Sequence, residues 1–397
     1  MLLLSLALLV PLWEANTVAA EEKVVYAQVV FANGWRAPKK VWKDEEVDQW
    51  PYGLSELTEK GANELYDMAD KVRSKYEDDL DKLKDQKVSI MAANGKGCRK
   101  AAQVFAAALF KGAHEPIRSV EWFPTLIDVQ ESATADHVLL PSHTSCPALD
   151  EKIKDKLEKI KEEHSTYYDY VKENRSMTIQ QAAEYLDIYK YHRKAVAIKD
   201  AVYVDNIKKA RAEEVMTKFG DPSIARLTAG RLLHDVASRM QTKAKQLAEK
   251  EVDAKEFIEE TEVPEDQVMV AMASDRYTLT ALCALIRKPE KPAEHGHAVV
   301  FELVEVSKDE EDSAFRVRVS EVTKAGVNLF DSLSHAGDAF CFKDNCTLSE
   351  FTGALEEKVF ATDEQRTDAC AGAAALVPTS VAFLALALLL RGGKDRV

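Results

Sequence analysis

"VVFANGWRAP", Val29 to Pro38, decides how the rest of this chain is read. It closes a longer run, "KVVYAQVVF", Lys23 to Phe31, whose β-branched and aromatic residues favour a strand. Gly34 and Pro38 then mark a turn. A strand running into such a turn has the outline of an active-site loop, because open α/β sheets hold ligands beyond the carboxyl ends of their strands. The side chains of such a loop are missing. Ala32 and Asn33 stand at the turn, and Arg36 is its one charged residue.

Outward from this stretch, three blocks follow. Residues 21–145 alternate strand and helix signals: "LTEKGANELYDMADKVRSKYEDDLDKL" is an amphipathic helix with Thr58 as its N-cap, and "KVSIMAA" is a buried strand leading through "NGKG" into the helix "CRKAAQVFAAALF". Residues 146–263 read as nearly pure helix, rich in Lys, Glu and Ala. Within them the charged run Asp150–Glu163 is a solvated face. "RLLHDVASRM" places His234 and Asp235 in a helix, as surface residues. Residues 264–370 return to strand and helix: "DQVMVAMASD" delivers Ser274 and Asp275 at a strand end, and "HAVVFELVEV" pairs with "AFRVRVSEV" as an antiparallel hairpin. Alternation of this kind predicts an α/β sheet completed from both sides of a helical insertion.

The two ends suggest a route out of the cytosol. Met1–Ala20 is an apolar run closing on small residues, as a signal peptide does, although it lacks a basic start. Ala371–Leu390 has no charge over twenty residues, roughly the ~20 that a membrane-crossing helix requires. Arg391, Lys394 and Arg396 in the 391–397 tail fit a cytoplasmic end. The expectation is a single-pass plasma-membrane or endomembrane protein with its body extracellular or lumenal. A GPI signal and a loosely packed C-terminal helix remain as rivals.

A formal charge of −14, with no basic stripe, argues against a nucleic-acid partner. Asn174 and Asn345 begin sequons and are candidate glycan sites. Six cysteines in an exported chain suggest disulfides, and Cys341 and Cys346 enclose a short loop suited to a local bridge. "HGH", His295–His297, has metal-like alternation but only Glu294 beside it, and is read as a loop. No metal and no cofactor are implied.

The order of motifs resembles the histidine acid phosphatases (histidine phosphatase superfamily, branch 2). Where that family has Arg-His-Gly-x-Arg-x-Pro, this chain has "FANGWRAP". Its Trp-Pro…Gly…Leu-Thr-x-x-Gly segment is matched by "WPYGLSELTEKG", Trp50–Gly61. Its Cys-Pro before the insertion is matched by "SCP", Ser145–Pro147, and its His-Asp by "ASDRYTLTAL". Its terminal Cys-x(3,4)-Cys-x-Leu-x-x-Phe is matched by "CFKDNCTLSEF", Cys341–Phe351. The resemblance implies a phosphoglycerate-mutase-like α/β sandwich with an inserted all-helical domain. It also implies a Cys146–Cys370 bond, a Cys341–Cys346 bond, and free thiols at Cys98 and Cys283.

Carried over position by position, the family's catalytic set is mostly lost. The nucleophilic histidine falls on Asn33, the clamping arginines on Ala32 and Gly97, and the second histidine on Ser274. Arg36 and Asp275 survive. An amide is not a nucleophile, so the covalent phosphohistidine route is closed. With Arg36 and Asp275 alone the formal charges cancel, and phosphoryl transfer depends on fixed positive charge. Lys96, Arg99 and Lys100, in the glycine-bearing turn between strand and helix, form a candidate replacement anion site. The sequence therefore points to a membrane-tethered, catalytically inactive pseudophosphatase acting by binding a phosphorylated or other anionic ligand. An active acid phosphatase with an unconventional site is the alternative, and a homodimer is compatible with either.

Overall fold

A computed structural model describes residues 21–77, 87–113, 124–130, 139, 146–248, 261–287, 289–307, 313–330, 332–335, 338–342 and 346–371. The segments read as a signal peptide and a basic tail, the apolar run beyond Ala371, and the Asn345 sequon lie outside the described residues. Among the described residues, no helix is long and apolar enough to cross a membrane.

The chain runs β1 (Glu21–Ala32), a 3-10 turn (Asp44–Gln49), α1 (Glu59–Tyr76), β2 (Val88–Ala93), α2 (Lys96–Leu109) and β3 (Asp128–Gln130). Five helices follow: α3 (Pro147–Glu163), α4 (Ser165–Arg175), α5 (Ile179–Tyr191), α6 (Ala201–Phe219) and α7 (Pro222–Leu247). Then come β4 (Met269–Ser274), α8 (Arg276–Ile286), β5 (Ala298–Ser307), β6 (Ser313–Thr323), β7 (Gly326–Leu329), β8 (Ser332–His335), β9 (Asp338–Phe342), α9 (Leu348–Leu355) and α10 (Asp363–Ala371). Seven strands form one sheet in the order β3-β2-β4-β1-β5-β6-β7. β1 is parallel to β4, and β2 is parallel to both β3 and β4. β5, β6 and β7 continue the sheet antiparallel, as the hairpin signals predict.

β1 lies inside this sheet with both faces covered, which is why its sequence is continuously apolar instead of alternating. Successive side chains still point to opposite faces. Phe31 stacks on Phe105 of α2, ring centroids 4.5 Å apart. Gln28, three residues earlier, donates from its amide to the Val236 carbonyl of α7 at 2.7 Å. Asn33 shares the parity of Phe31 and so emerges on the α2 side. The sheet, α1, α2, α7 and α8 share the main core. A second core, formed by α5 and α6 with Trp42 and Trp50, lies between the helical segment and the loop after β1. Glu46 joins these parts. Its carboxylate accepts from the Trp42 and Lys43 amides at 3.0 and 3.2 Å, and from the Tyr185 and Tyr189 hydroxyls, both at 3.2 Å.

His234 and Asp235 correct the surface reading. Both are buried in α7. α7 runs through the core between β1 and α8, so even its charged residues face protein. Arg231 Nη1 lies 3.0 Å from His234 Nδ1, and Asp235 accepts from Arg239 Nε at 2.7 Å and from Thr261 Oγ1 at 3.0 Å. The α3 run Asp150–Glu163 is solvated as expected, with Ile153 turned inward. Cys146 is bonded to Cys370 and Cys341 to Cys346, while Cys98 and Cys283 are free, all as the family resemblance implies.

Thr58 caps α1 by accepting from the Gly61 amide. The same turn supports the loop after β1: the Thr58 amide and hydroxyl both donate to the Trp35 carbonyl at 3.2 Å. This close approach requires Gly61. A Cβ there would stand 2.8 Å from the Trp35 carbonyl carbon and overlap its oxygen. Ala is the better helix former by about 1 kcal/mol, yet Gly61→Ala is expected to lower stability by about 1–3 kcal/mol through overpacking. Urea denaturation measures the difference; a variant as stable as the native protein would show that the loop is not fixed by this contact.

Candidate functional site

The carboxyl ends of β1, β2 and β4 bring the family positions together. The Asn33 amide donates to the Ser274 carbonyl at 2.9 Å, fixing the end of β1 beside the end of β4. On its other side, a Cβ at Gly97 would stand 2.9 Å from Asn33 Nδ2. Gly97, on which the family resemblance places a clamping arginine, thus faces Asn33. Ala32 and Ser274 are sealed from solvent. Asp275 caps α8: its Oδ1 accepts from the Tyr277 and Thr278 amides at 2.8 and 3.0 Å.

Three of the four surviving or replacement cations have an internal partner. Arg36 Nη1 lies 2.6 Å from Glu184 Oε1 of α5. Lys96 and Lys100, one turn apart at the start of α2, both bind the Glu56 carboxylate, and these bonds, Lys100 first, hold its pKa below the ordinary carboxylate value. Arg99 is exposed. The candidate anion site at Lys96, Arg99 and Lys100 therefore already carries an anion of the protein's own, two of its three cations being paired. Cys98, in the first turn of α2, is buried, and burial first, then the Asp275 carboxylate, pushes its thiol up to about 12. It is no thiolate nucleophile at neutral pH.

His295 belongs to this site and was missed as part of a loop. It is buried, with Nδ1 3.0 Å from the Asn33 carbonyl oxygen and 3.2 Å from Asn33 Oδ1. Its ring lies 4.7 Å from Trp35, which in turn stacks on Tyr191 at 4.4 Å. A cavity of about 770 Å³ opens beside them, walled by Trp35, Tyr191, His295, His297, Lys60 and Glu64. The sequence offered one signal, the "HGH" alternation. The three-residue pattern did not show that β5 begins next to the end of β1. Among the described residues, neither histidine joins a metal-holding group; the one such cluster, Glu163, His164 and Glu213, lies at the junction of α3, α4 and α6.

Burial leaves three histidines neutral. His295 is held well below its ordinary value of 6.5 by burial, then by the Arg276 and Arg36 guanidiniums. His192 is lowered to about 4 by burial, then by Lys60 and Lys194, and His234 to about 4 by burial, then by Arg231. The unfolded chain binds these protons near pH 6.5, whereas the folded protein resists them, so stability is full above that pH and falls as pH drops towards 4. Thermal unfolding at pH 7.5, 6 and 5 is expected to show a midpoint that declines across this interval. A flat midpoint would place these rings in contact with water.

A mixed α/β sheet with a helical segment between β3 and β4, and a cleft where the parallel strands end, defines the histidine phosphatase fold. Solved structures agree. Klebsiella sp. ASR1 phytase superposes with a TM-score of 0.57 at 11% identity, over 86% of this chain and 97% of that one. Hafnia alvei phytase, in complex with myo-inositol hexakis sulphate, gives 0.56 at 14% identity, over 85% and 98%. The multiple inositol polyphosphate phosphatase of Bifidobacterium longum, in complex with phosphate, gives 0.51 at 10% identity, over 84% and 92%. At these identities the likeness shows the fold alone.

Sequence comparisons agree with this fold over part of the chain. Residues 20–199 match the profile of the histidine phosphatase superfamily (branch 2). A 135-residue stretch is 27% identical to an acid phosphatase homologue of Caenorhabditis elegans, covering 34% of this chain. That match spans 31% of the relative's own length. The chain is a histidine-acid-phosphatase-like protein, as its motifs imply.

Proposed function

We propose that this protein is a membrane-tethered pseudophosphatase of the secretory pathway, its body outside the cytosol, which binds a phosphorylated or similarly anionic ligand without hydrolysing it through a phosphohistidine. One observation carries the reading: the side chain at the nucleophile position, between Gly97 and His295, is the amide of Asn33. The pairing of Arg36 with Glu184 supports it, because the one clamping arginine left by the sequence is already neutralised.

A second reading, an active acid phosphatase with an unconventional site, draws on His295. A neutral imidazole that donates from Nδ1 to the Asn33 carbonyl keeps a lone pair on Nε2, and this ring borders the cavity. One experiment separates the two. The full-length protein is equilibrated with phenyl phosphate, and binding and phosphate release are followed in the same sample. Binding without release supports the pseudophosphatase. Release that disappears in a His295→Ala variant supports the second reading and overturns the first.

A further inference from the structure

The charges around the cleft do not cancel evenly. Arg36 is held by Glu184, and Lys96 and Lys100 by Glu56. Arg276, the residue directly after Asp275, has no carboxylate partner among the described residues. Its Nη2 donates to the Tyr277 hydroxyl oxygen at 3.1 Å, while its Nη1 and Nε carry no bond among those residues. The same phenolic oxygen receives a second guanidinium. Arg211, buried in α6, donates to it from Nη2 at 2.9 Å. Both guanidinium carbons lie near the Tyr277 ring, at 4.9 Å for Arg276 and 5.2 Å for Arg211.

Two guanidiniums converging on one oxygen is the arrangement by which proteins hold carboxylates and phosphates, since a guanidinium donates in a planar fork and never accepts. Here a phenol occupies the place of the anion. Burial raises the Tyr277 pKa, but Arg276 and Arg211 outweigh it and hold the hydroxyl below its ordinary value. Arg211 is tied to Glu214 at 2.8 Å through Nη1, and its buried Nε has no hydrogen-bond partner. Two carboxylates beside it are engaged elsewhere: Asp275, its neighbour in sequence, caps α8, and Glu294, whose charge it feels, binds Lys291 at 2.6 Å. The half-buried Arg276 is thus a guanidinium with open donors, at the start of α8 and two residues beyond Ser274, where the family resemblance places the second histidine.

We propose that Arg276 and Arg211, with Tyr277 between them, form a rebuilt oxyanion clamp on the β4–α8 side of the cleft, taking the tetrahedral head of a phosphate or sulfate ester. The inference rests on the proposed binding function and gives it a location. Positive charge lost at Ala32 and Gly97 reappears one residue beyond Asp275. The incoming oxyanion takes the donors now shared with the phenol, and the open Nη1 and Nε of Arg276 permit a bidentate contact.

Inorganic phosphate, phenyl phosphate and phenyl sulfate are titrated into the full-length protein by calorimetry. Arg276→Ala is expected to weaken binding at least tenfold, Arg276→Lys to fall between it and the native protein, and Lys96→Ala to change it less than twofold. Tyr277→Phe removes the competing oxygen and is expected to tighten binding, a response that a purely structural tyrosine would not give. It also avoids the folding risk of replacing buried Arg211. The tighter of the two phenyl esters identifies the head group. Binding unaffected by Arg276→Ala, or lost in Lys96→Ala instead, overturns the clamp and leaves the binding function standing. No binding of any probe by the native protein overturns both.

Discussion

Native protein and an Asn33→His variant, each given an aryl phosphate across acid pH, are expected to release phosphate no faster than an Asp275→Asn control. Loss of the nucleophile of a serine protease costs about 10⁶ in turnover, and an amide at position 33 is a loss of that kind. Returning histidine alone does not repair the field around the transferred group. Arg36 remains bound to Glu184, Lys96 and Lys100 remain bound to Glu56, and positions 32, 97 and 274 carry no cation. A variant combining Ala32→Arg, Asn33→His, Gly97→Arg and Ser274→His supplies the whole family set and is expected to hydrolyse the ester above the native rate. Its stability falls at the same time. Ala32 and Ser274 are fully buried on adjacent strands, and overpacking costs about 1–3 kcal/mol per site. Phosphate release by the native protein above the control would sink the pseudophosphatase reading.

The second large effect is on stability. Removing the Cys146–Cys370 bond, by Cys146→Ser with Cys370→Ser, is expected to cost roughly 5 kcal/mol, because closing so long a loop removes much entropy from the unfolded chain. The two cysteines are 224 residues apart in sequence. They join the start of α3 to α10 within a small cluster that includes Leu149, Ile153, Ile224, Leu227 and Phe360. Arg366 supports the same junction by donating to the Leu227 carbonyl at 3.0 Å. The Cys341–Cys346 bond closes a separation of only five residues, and its loss is expected to cost about 2 kcal/mol by the same relation. Denaturant unfolding of the two double variants compares them directly. Equal losses would show that chain entropy does not set the difference.

Much of the site was legible because it depends on short motifs. "VVFANGWRAP" and "ASDRYTLTAL" each place a strand end beside a turn or helix start, and these fixed the positions of Asn33, Ser274 and Asp275 before any packing was known. The facing of Asn33 and Gly97 came from the packing of β1 beside α2. The anion site did not follow in the same way. Lys96 and Lys100 lie one helical turn apart and look like open donors, but Glu56, which binds both, stands forty residues earlier by Lys96's reckoning and belongs to another loop. His234 and Asp235 misled for the same reason, since a charged pair in a helix carries no mark of the arginines and threonine that enclose it.

What the sequence by itself determined is the order of strands and helices, the Thr58 cap and the resemblance to the histidine phosphatases. These depend on side-chain periodicity and on neighbours within a turn, and both are written along the chain. Tertiary structure alone decided which charge meets which. It set Glu184 against Arg36, turned His295 onto an asparagine 262 residues away, and left Arg276 with a phenol instead of a carboxylate. Desolvation and Coulomb forces act through space, so the partner of a buried charge depends on how the sheet is ordered and how the helices pack around it.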